Sequence, residues 1–567
     1  MSSPSSPLPT GLRKLSPTEL FFSSRNQLGL YRSVTVTCRY EFSQLSSVVL
    51  IEQRLYRALD SVISSEPMLR VGVEAEDDAS RTRFLHLPFL DLASHVSFEM
   101  LGSRKGEGEE EEEAEKEEEG RKEEYERLLV ERLEGIHDLM WTELHLRPPW
   151  KLYVFHQHHY HDDDDDGEIS KAYDMVFAFH HVLMDGISAR IFHELLQRAL
   201  NDDDDDDNID KEPKATLFFP DPPLLPLPQE EAIPFTNSLS HKVKTVINEH
   251  LLLPKSPMPF FPLSLFSSLL PTATTPWHGK GIDFSLPHKS RLLPIIIPAN
   301  VSQSVLEECR AHQTTVTALI HALVLSSLAR RLPAGISSLT AATPISLRPY
   351  LVGKDGDDVV DSTTAAKLRC LVTSHRYDFT ATDVSSMRGE AAASAASASD
   401  DGSIIKNDAS AIWKAARDIR AALAGRLSAI PADDPIGMLS YVRDWSSFWK
   451  GRDGKPRRDS WEVSNGGVLV NEEDEEGVSR SDEDYCRISR VSFANGPMVA
   501  GPPIGLSVAS AASSSSGVID GVMTTTMMMG EMTIVLSWQE GVVPEELMTG
   551  LADDLHGWTR GALKHTW

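Results

Sequence analysis

The sequence has few cysteines, no long apolar run and no excess of positive charge. Its four cysteines lie far apart in 567 residues and form no Cys-x-x-Cys pair, so neither a zinc site nor a disulfide framework is indicated. This usage fits a reducing intracellular compartment. No apolar stretch approaches the ~18 residues of a membrane span, and the Ser/Pro-rich start, Met1–Pro9, lacks the apolar core of a signal peptide. We therefore expect a soluble or peripheral protein.

The net charge of −29 comes mainly from three acidic tracts. Glu107–Glu119 holds ten glutamates, Asp162–Asp166 five aspartates and Asp202–Asp207 six. Runs of like charge repel themselves and are usually solvated, so these tracts are predicted to be surface insertions in a mildly acidic body. Nucleic-acid binding would need a basic face, and the sequence predicts none.

The most informative stretch is Phe177–Gly186, an apolar run that ends in two histidines and continues through an acid and a glycine. The run Met175–Phe179 is typical of a buried strand. Ile187, Ile191 and Leu195 then recur at helical spacing, so a helix is predicted to begin at the glycine. The two histidines therefore lie on a short turn between a strand and a helix.

This placement suits acid–base chemistry. A histidine with a pKa near ~6.5 can take a proton from a hydroxyl or an amine as that group attacks an acyl carbonyl. Asp185 can fold back across the turn and hold the ring of His181. Gly186 permits a close approach that a side chain would prevent. A pair of core histidines without chemistry is the alternative reading of the same stretch.

His180-His181-Val-Leu-Met-Asp185-Gly186 fits the pattern HHxxxDG, which resembles the motif of the chloramphenicol-acetyltransferase-like acyltransferases. The resemblance implies that His181 is the general base, that His180 supports the turn, and that Asp185 is structural and paired with an arginine. Arg32, Arg70 and Arg348 are candidates for this arginine, and the sequence does not choose among them.

Weaker blocks extend the resemblance; the first of them, the Leu-Gly-x-Tyr step, narrows it to the fungal alcohol acetyltransferase family, whereas Pro67–Arg70 resembles a turn found across the superfamily. The blocks are the Leu-Gly-x-Tyr step at residues 28–31, Pro67–Arg70, Ala342–Tyr350 and Ser460–Gly467. In the last block, Ser464, Asn465 and Gly466 follow a predicted strand and offer small donors and bare backbone N–H groups that could stabilise an oxyanion. A plain transition from strand to turn, without a ligand, is the alternative.

The resemblance implies an α/β fold of two halves, each a mixed sheet covered by helices, with an active-site tunnel between them. We divide the chain into a disordered Ser/Pro tail (1–18), an N-terminal acyltransferase half (19–216), a Pro-rich crossover linker (217–290) and a C-terminal acyltransferase half (291–567). The runs Ala391–Ser399 and Ala509–Ser516 are predicted to be loop insertions. His321, inside an apolar helix, is predicted to be a core histidine.

The function that follows is an acyl-CoA-dependent acyltransferase of secondary metabolism that transfers acetyl from acetyl-CoA to an alcohol hydroxyl. Transfer to an amine, a condensation-type reaction and a noncatalytic interaction scaffold stay open. The resemblance implies acetyl-CoA as a co-substrate, with no bound cofactor and no metal. We expect a cytoplasmic monomer whose partners are the small-molecule alcohol or amine and acyl-CoA. The apolar residues of the crossover either pack over the seam between the halves or contact a membrane or lipid droplet.

Overall fold

A computed structural model of the chain describes most of the sequence. The described residues are 10–43, 48–76, 78, 80–102, 111–157, 172–202, 214–251, 276–351, 368–396, 404–472, 485–519 and 522–562. The acidic tract Asp162–Asp166 and nearly all of Asp202–Asp207 lie outside the described residues, so the prediction that they are surface insertions is not tested.

Two large mixed sheets carry the fold. The strands are, in chain order, β1 (Thr10–Lys14), β2 (Val34–Phe42), β3 (Val71–Glu74), β4 (Arg83–His86), β5 (Phe89–Asp91), β6 (Val96–Leu101), β7 (Trp150–Gln157), β8 (Ala172–Phe179), β9 (Thr216–Phe218), β10 (Ser290–Ile297), β11 (Leu339–Ser346), β12 (Val372–Phe379), β13 (Trp461–Glu472), β14 (Cys486–Asn495), β15 (Ile504–Ile519) and β16 (Val522–Gln539). The first sheet has the order β14-β2-β8-β7-β6 and the second the order β10-β16-β15-β13-β11-β12. The expected α/β class is confirmed.

Helices cover both sheets. The α-helices are α1 (Pro17–Gln27), α2 (Val48–Ser65), α3 (Leu92–His95), α4 (Glu111–Asp138), α5 (Gly186–Asn201), α6 (Gln229–Ala232), α7 (Leu239–Leu251), α8 (Ala299–Ala311), α9 (Val316–Arg331), α10 (Ala381–Ala396), α11 (Ile404–Ala429), α12 (Ile436–Leu439), α13 (Trp445–Lys450) and α14 (Glu545–Ala562), and short 3-10 turns span Pro67–Arg70 and Arg348–Tyr350. Helices α2 and α5 share an apolar core with the first sheet, whereas α8, α9, α11 and α14 share one with the second.

Helix α9 shows why the second half is firmly packed. The Thr315 side chain caps its N-terminus by accepting from the N–H of Ala318, and its apolar residues are buried on nearly all sides. His321 lies within it and bonds to Thr343 Oγ1 at 2.6 Å and to Trp461 Nε1 at 2.9 Å. The prediction of a core histidine with satisfied hydrogen bonds is confirmed.

The second half of the sequence contributes one strand to the first sheet. Although β14 belongs to the second half of the sequence, it pairs antiparallel with β2 at the edge of the first sheet. The crossover also joins the halves, because buried Gln229 donates to Thr18 Oγ1 at 2.7 Å and accepts from the N–H of Val372 at 2.8 Å. Part of the predicted linker therefore packs over the seam, while the domain boundaries themselves stay a prediction.

Two predictions of loops are corrected by the structure, and part of the first acidic tract is helical. Ala509–Ser516 lies within β15, where backbone pairing with β16 compensates for small side chains of weak strand preference. The run from Ala391 to Ala396 completes α10, as the high helix propensity of alanine favours. Residues 111–119, the larger part of the first acidic tract, begin α4.

Candidate active site

The histidine turn is held in place at both ends. The backbone N–H of His180 donates to the carbonyl of Pro149 at 2.9 Å, and its carbonyl accepts from the N–H of Leu183 at 3.1 Å. At the far end, Asp185 caps α5 by accepting from the N–H of Ser188 at 2.8 Å. Because the turn joins the buried strand β8 to this helix, its side chains have little freedom to move.

His180 faces away from open space. Its side chain is buried, and its Nδ1 accepts from the backbone N–H of Val182 at 2.8 Å. The ring proton therefore resides on Nε2, which lies 3.7 Å from Glu76 Oε1. Glu76 in turn accepts from the hydroxyl of Ser23 at 2.6 Å. These contacts suit the supporting role that the motif implies for His180.

His181 presents a different environment. Its ring stacks on Phe22 with centroids 3.7 Å apart and planes 5° from parallel. The Sγ atom of Cys370 lies 3.9 Å from Nδ1, and the ring also contacts the carbonyl of His181 itself. With the proton on Nδ1, the lone pair of Nε2 is available, and no group in the described part of the chain is hydrogen-bonded to it. The ring is half-buried, unlike that of His180.

The protein keeps His181 neutral. Burial lowers its pKa to about 4, and this effect outweighs Asp185, which acts in the opposite direction. Arg25 and His180 lower the pKa further. Since the ring retains some contact with solvent, hydration moderates the effect of burial. The imidazole is therefore unprotonated and able to accept a proton at neutral pH.

Asp185 pairs with Arg348 among the three arginines that the sequence left open. Arg348 donates from Nη1 to Oδ2 at 2.9 Å and from Nη2 to Oδ1 at 3.0 Å, which is the two-pronged geometry of a strong ion pair. Arg70 instead lies over the ring of Phe219 at 4.7 Å. Arg32 donates to the carbonyl of Asp138. Both alternatives to Arg348 were therefore wrong.

Further hydrogen bonds complete the shell of Asp185. The N–H of Ser188 reaches Oδ1 and the N–H of Leu371 reaches Oδ2 at 2.9 Å. Burial on its own would raise the pKa of Asp185, but Arg348 and these backbone donors outweigh it and hold the pKa below its usual value. The carboxylate is thus ionised, and it ties the histidine turn to the segments that flank β11 and β12.

The Ser464–Gly467 stretch lies within β13 rather than at the end of a strand, which corrects the predicted transition to a turn. Its pairing with β15 shifts register between Asn465 and Val468, and Gly467 has a φ of +82°. This irregularity is a bulge, which glycine tolerates because it has no Cβ. The backbone of β13 is therefore bent at the residues that the motif singles out.

Phe493 brings this bulge beside the histidine turn. A Cβ on Gly186 would lie 2.9 Å from Phe493 Cζ, and a Cβ on Gly466 would lie 3.4 Å from Phe493 Cδ1. The aromatic ring therefore packs between the two glycines, and a side chain at Gly186 would collide with it. The sequence predicted a close approach at Gly186, and the structure shows that this approach is to β14.

Ser464 and Asn465 differ in what remains available to a ligand. Trp461 and Val463 point into the core of the second half, so Ser464, by strand alternation, points to the opposite face, toward the seam. Within the described chain its Oγ has no hydrogen-bond partner. The Asn465 amide donates to Thr317 Oγ1 at 3.0 Å and accepts from the N–H of Gly467 at 2.8 Å, so both of its ends are engaged.

The sequence did not reveal a cluster of polar residues that lines the same seam between the halves. Arg25 is buried and lies over the ring of Tyr31 at 4.4 Å. The Tyr31 hydroxyl donates to Asn495 Oδ1 at 3.3 Å, and Asn495 Nδ2 donates to Glu462 Oε1 at 3.4 Å. Burial raises the pKa of Glu462 to about 7, against the effect of Arg25. The available signals were helical spacing from Phe22 to Arg25 and an acid alternating with core residues in β13.

Two further features bear on the predicted partners. In the described part of the chain, no group of three or more His, Cys, Asp or Glu side chains is placed to hold a metal ion. The described helices include none that is long and apolar enough to cross a membrane.

The chain is similar to known acetyltransferases along nearly its whole length. The family model described as alcohol acetyltransferase matches residues 14–362, more than half of the chain. The probable alcohol acetyltransferase FCK4 of Fusarium pseudograminearum is 26% identical over 566 residues, covering 98% of this chain and 96% of that protein. The probable alcohol acetyltransferase crmB of Aspergillus fumigatus is 22% identical over 530 residues, covering 92% and 94%.

A solved structure shares the fold. The trichothecene 15-O-acetyltransferase TRI3 of Fusarium sporotrichioides superposes with a TM-score of 0.60 at 11% identity, covering 99% of this chain and 97% of that one. At this identity the likeness concerns architecture alone. The family match and the curated relatives show more: the chain belongs to the alcohol acetyltransferase family and is an acyltransferase.

Proposed function

We propose that the protein transfers an acetyl group from acetyl-CoA to the hydroxyl of a small-molecule alcohol, with His181 as the general base. The observations that support this proposal are that the pKa of His181 is lowered, that its ring stacks on Phe22, and that Nε2 has no hydrogen bond to any described residue. Such a nitrogen can accept the proton of a hydroxyl that lies within hydrogen-bond reach.

The reaction balances with this single base. Nε2 takes the hydroxyl proton as the acceptor oxygen attacks the thioester carbonyl. A C–O bond forms, and the carbonyl oxygen becomes an oxyanion in a tetrahedral intermediate. Collapse of the intermediate breaks the C–S bond, and the imidazolium of His181 returns the proton to the CoA sulfur. The products are the acetyl ester and free CoA.

The oxyanion would be stabilised from β13. The hydroxyl of Ser464, which has no hydrogen-bond partner in the described part of the chain, faces the seam, and the bulge at Gly466 packs against Phe493 beside the histidine turn. Donors fixed in advance at a developing negative charge are a large source of rate acceleration. Asn465 is a weaker candidate because its amide already bonds to Thr317 and Gly467.

The test is acetyl-CoA consumption with a panel of alcohols and primary amines, followed by release of free thiol and by mass spectrometry of the product. We expect ester formation with alcohols and its loss in His181→Ala. Amide formation alone would overturn the assignment of an alcohol acceptor. Thiol release that is equally fast in His181→Ala would overturn the assignment of the base.

The monomeric state, the cytoplasmic location and peripheral contact with ER membranes or lipid droplets stay predictions. Support for membrane contact is confined to exposed apolar side chains of the crossover, where Leu224 is 92% and Leu239 78% exposed. Flotation of the purified protein with phospholipid vesicles would test it.

A further inference from the structure

Arg25 and Glu462 are a basic and an acidic side chain that lie at the seam between the two halves without pairing. Arg25 is only 8% exposed, and among the described residues its guanidinium has no hydrogen bond or ion pair. Its Nη2 atom is shielded from solvent and has no partner. The group rests on aromatic rings instead, 4.4 Å from the centroid of Tyr31 and 4.8 Å from that of Phe21.

Glu462 is almost as poorly satisfied. Its carboxylate accepts from the amide of Asn495 at a long 3.4 Å. Glu462 raises the pKa of Arg25, and Arg25 lowers the pKa of Glu462. The two side chains nevertheless form no salt bridge. A buried charge is unfavourable unless it is paired or hydrogen-bonded, so two that stay apart gain from a polar ligand that bonds to both.

The pair lies beside the candidate base. Arg25 is one helical turn from Phe22, on which His181 stacks, and its guanidinium lies 5.6 Å from the centroid of that ring. The ring of Tyr31 lies 6.1 Å from that of His181, and its hydroxyl reaches Asn495. Glu462 and Ser464 lie on the same face of β13, about 7 Å apart at the usual rise of a strand.

We propose that Arg25 and Glu462, with Asn495, form an acceptor subsite that selects polyoxygenated alcohols over simple ones. While His181 takes the proton of the reacting hydroxyl, Glu462 accepts a hydrogen bond from a second hydroxyl, and Arg25 donates to another oxygen of the acceptor. This inference rests on the proposed function and names the class of acceptor for the same site.

The charges of the subsite argue against other acceptors. A plain aliphatic alcohol would displace water from both side chains without forming a hydrogen bond to either. A site that is built to bond a second hydroxyl therefore binds an alcohol that lacks it much more weakly. A second hydroxyl satisfies both charges, so it raises affinity and fixes which hydroxyl faces His181.

The experiment compares the three positional isomers of cyclohexanediol with cyclohexanol as acceptors for acetyl-CoA. In the wild type, kcat/KM for the best diol should exceed that for cyclohexanol by on the order of 100-fold. In Glu462→Gln and Arg25→Lys this preference should fall at least about tenfold, mainly through KM for the diol. Asp459→Asn is the matched control, since Asp459 is a nearby carboxylate that pairs with Arg376.

A binding measurement separates this inference from the proposed function. Isothermal titration calorimetry with the diols and with cyclohexanol should show the same preference, and its loss in Glu462→Gln, even if no ester forms. Equal binding of diol and cyclohexanol to the wild type would overturn the subsite. So would an unchanged preference in Glu462→Gln together with a raised KM for acetyl-CoA, because the pair would then hold the CoA chain.

Discussion

Two couples of opposite charge lie at the seam of this protein, and they are built differently. Asp185 and Arg348 meet in a two-pronged ion pair, and backbone N–H groups of Ser188 and Leu371 complete the shell of the carboxylate. Arg25 and Glu462 form no salt bridge, and within the described chain the guanidinium of Arg25 has no hydrogen bond or ion pair. The protein therefore satisfies the first couple itself and leaves the second open.

The difference distinguishes a pair that stabilises the fold from a pair that is available to bind a ligand. A saturated buried pair gains nothing from a ligand, but it fixes the elements that carry it, here the histidine turn and the segments around β11 and β12. An unsaturated pair is unfavourable in the free protein and favourable once a complementary molecule binds. Substitutions can therefore be sorted by whether they affect folding, chemistry or choice of acceptor.

The largest expected effect is on chemistry. Loss of the base in His181→Ala should lower kcat by roughly 100- to 10,000-fold, with KM for acetyl-CoA little changed. The matched variant is His180→Ala, whose ring bonds to Val182 and faces Glu76. That variant should lower the melting temperature, because it removes a buried ring with these contacts. It should lower kcat much less than His181→Ala does. Equal losses of kcat in the two variants would contradict the assignment.

The next effect tests the comparison directly. Asp185→Asn leaves Arg348 buried without its carboxylate, and breaking a buried pair typically destabilises a protein by about 3 to 5 kcal/mol. We expect a clear fall in melting temperature and in activity, measured by thermal unfolding and thiol release. Glu462→Gln is the control, because it removes a charge that has no ion-pair partner, and it should leave the melting temperature nearly unchanged. Similar destabilisation by both variants would show that the two couples do not differ.

The sequence predicted the part of the site that is local. His180, His181, Asp185 and Gly186 follow one another in a strand, a turn and a helix, so their arrangement depends on short-range geometry. The choice of Arg348 could not be made, because 163 residues separate it from Asp185. Such contacts depend on how distant segments of the chain pack together. From the sequence alone, the three arginines near predicted strands were equally good candidates.

The rest of the site depends on long-range assembly. An alternating pattern predicts a strand but does not say which sheet it joins, so nothing indicated that β14 would carry Phe493 and Asn495 to the first sheet. Arg25 and Glu462 likewise come from opposite ends of the chain. The error at Ala509–Ser516 has the same origin, since pairing with β16 overrides a weak intrinsic preference.

A smaller effect is expected at β13. The Ser464 hydroxyl has no hydrogen-bond partner among the described residues and faces the seam, so Ser464→Ala should lower kcat by on the order of 100-fold if it donates to the oxyanion. Asn465→Ala should have less effect on kcat, because its amide bonds to Thr317 and Gly467. Both are measured at saturating acetyl-CoA. Normal kcat in both variants would leave only backbone N–H groups as donors.

The smallest expected effect is on the acid side of the pH profile. Because burial lowers the pKa of His181 from its usual 6.5 to about 4, the neutral ring persists well below pH 6.5. With cyclohexanol as acceptor, kcat/KM should change by less than about threefold between about pH 5 and pH 7. A free histidine would lose most of its neutral form over that range.

Two other titrations must be separated from this one. Glu462, with a pKa of about 7, changes charge in the same window, so the profile is measured in Glu462→Gln.

Buried histidines also make folding pH-dependent, because their pKa values are lowered in the folded state. The unfolded state therefore binds more protons below about pH 6.5, and stability falls as the pH falls. These histidines are His95, His137 and His193, with pKa values of about 4, and His321, with a pKa of about 3. Circular dichroism at each pH defines where the fold is intact. Within that range, an acid limb with an apparent pKa near 6.5 would mean that hydration of the half-buried His181 ring cancels the effect of burial, and the base would then be an ordinary imidazole.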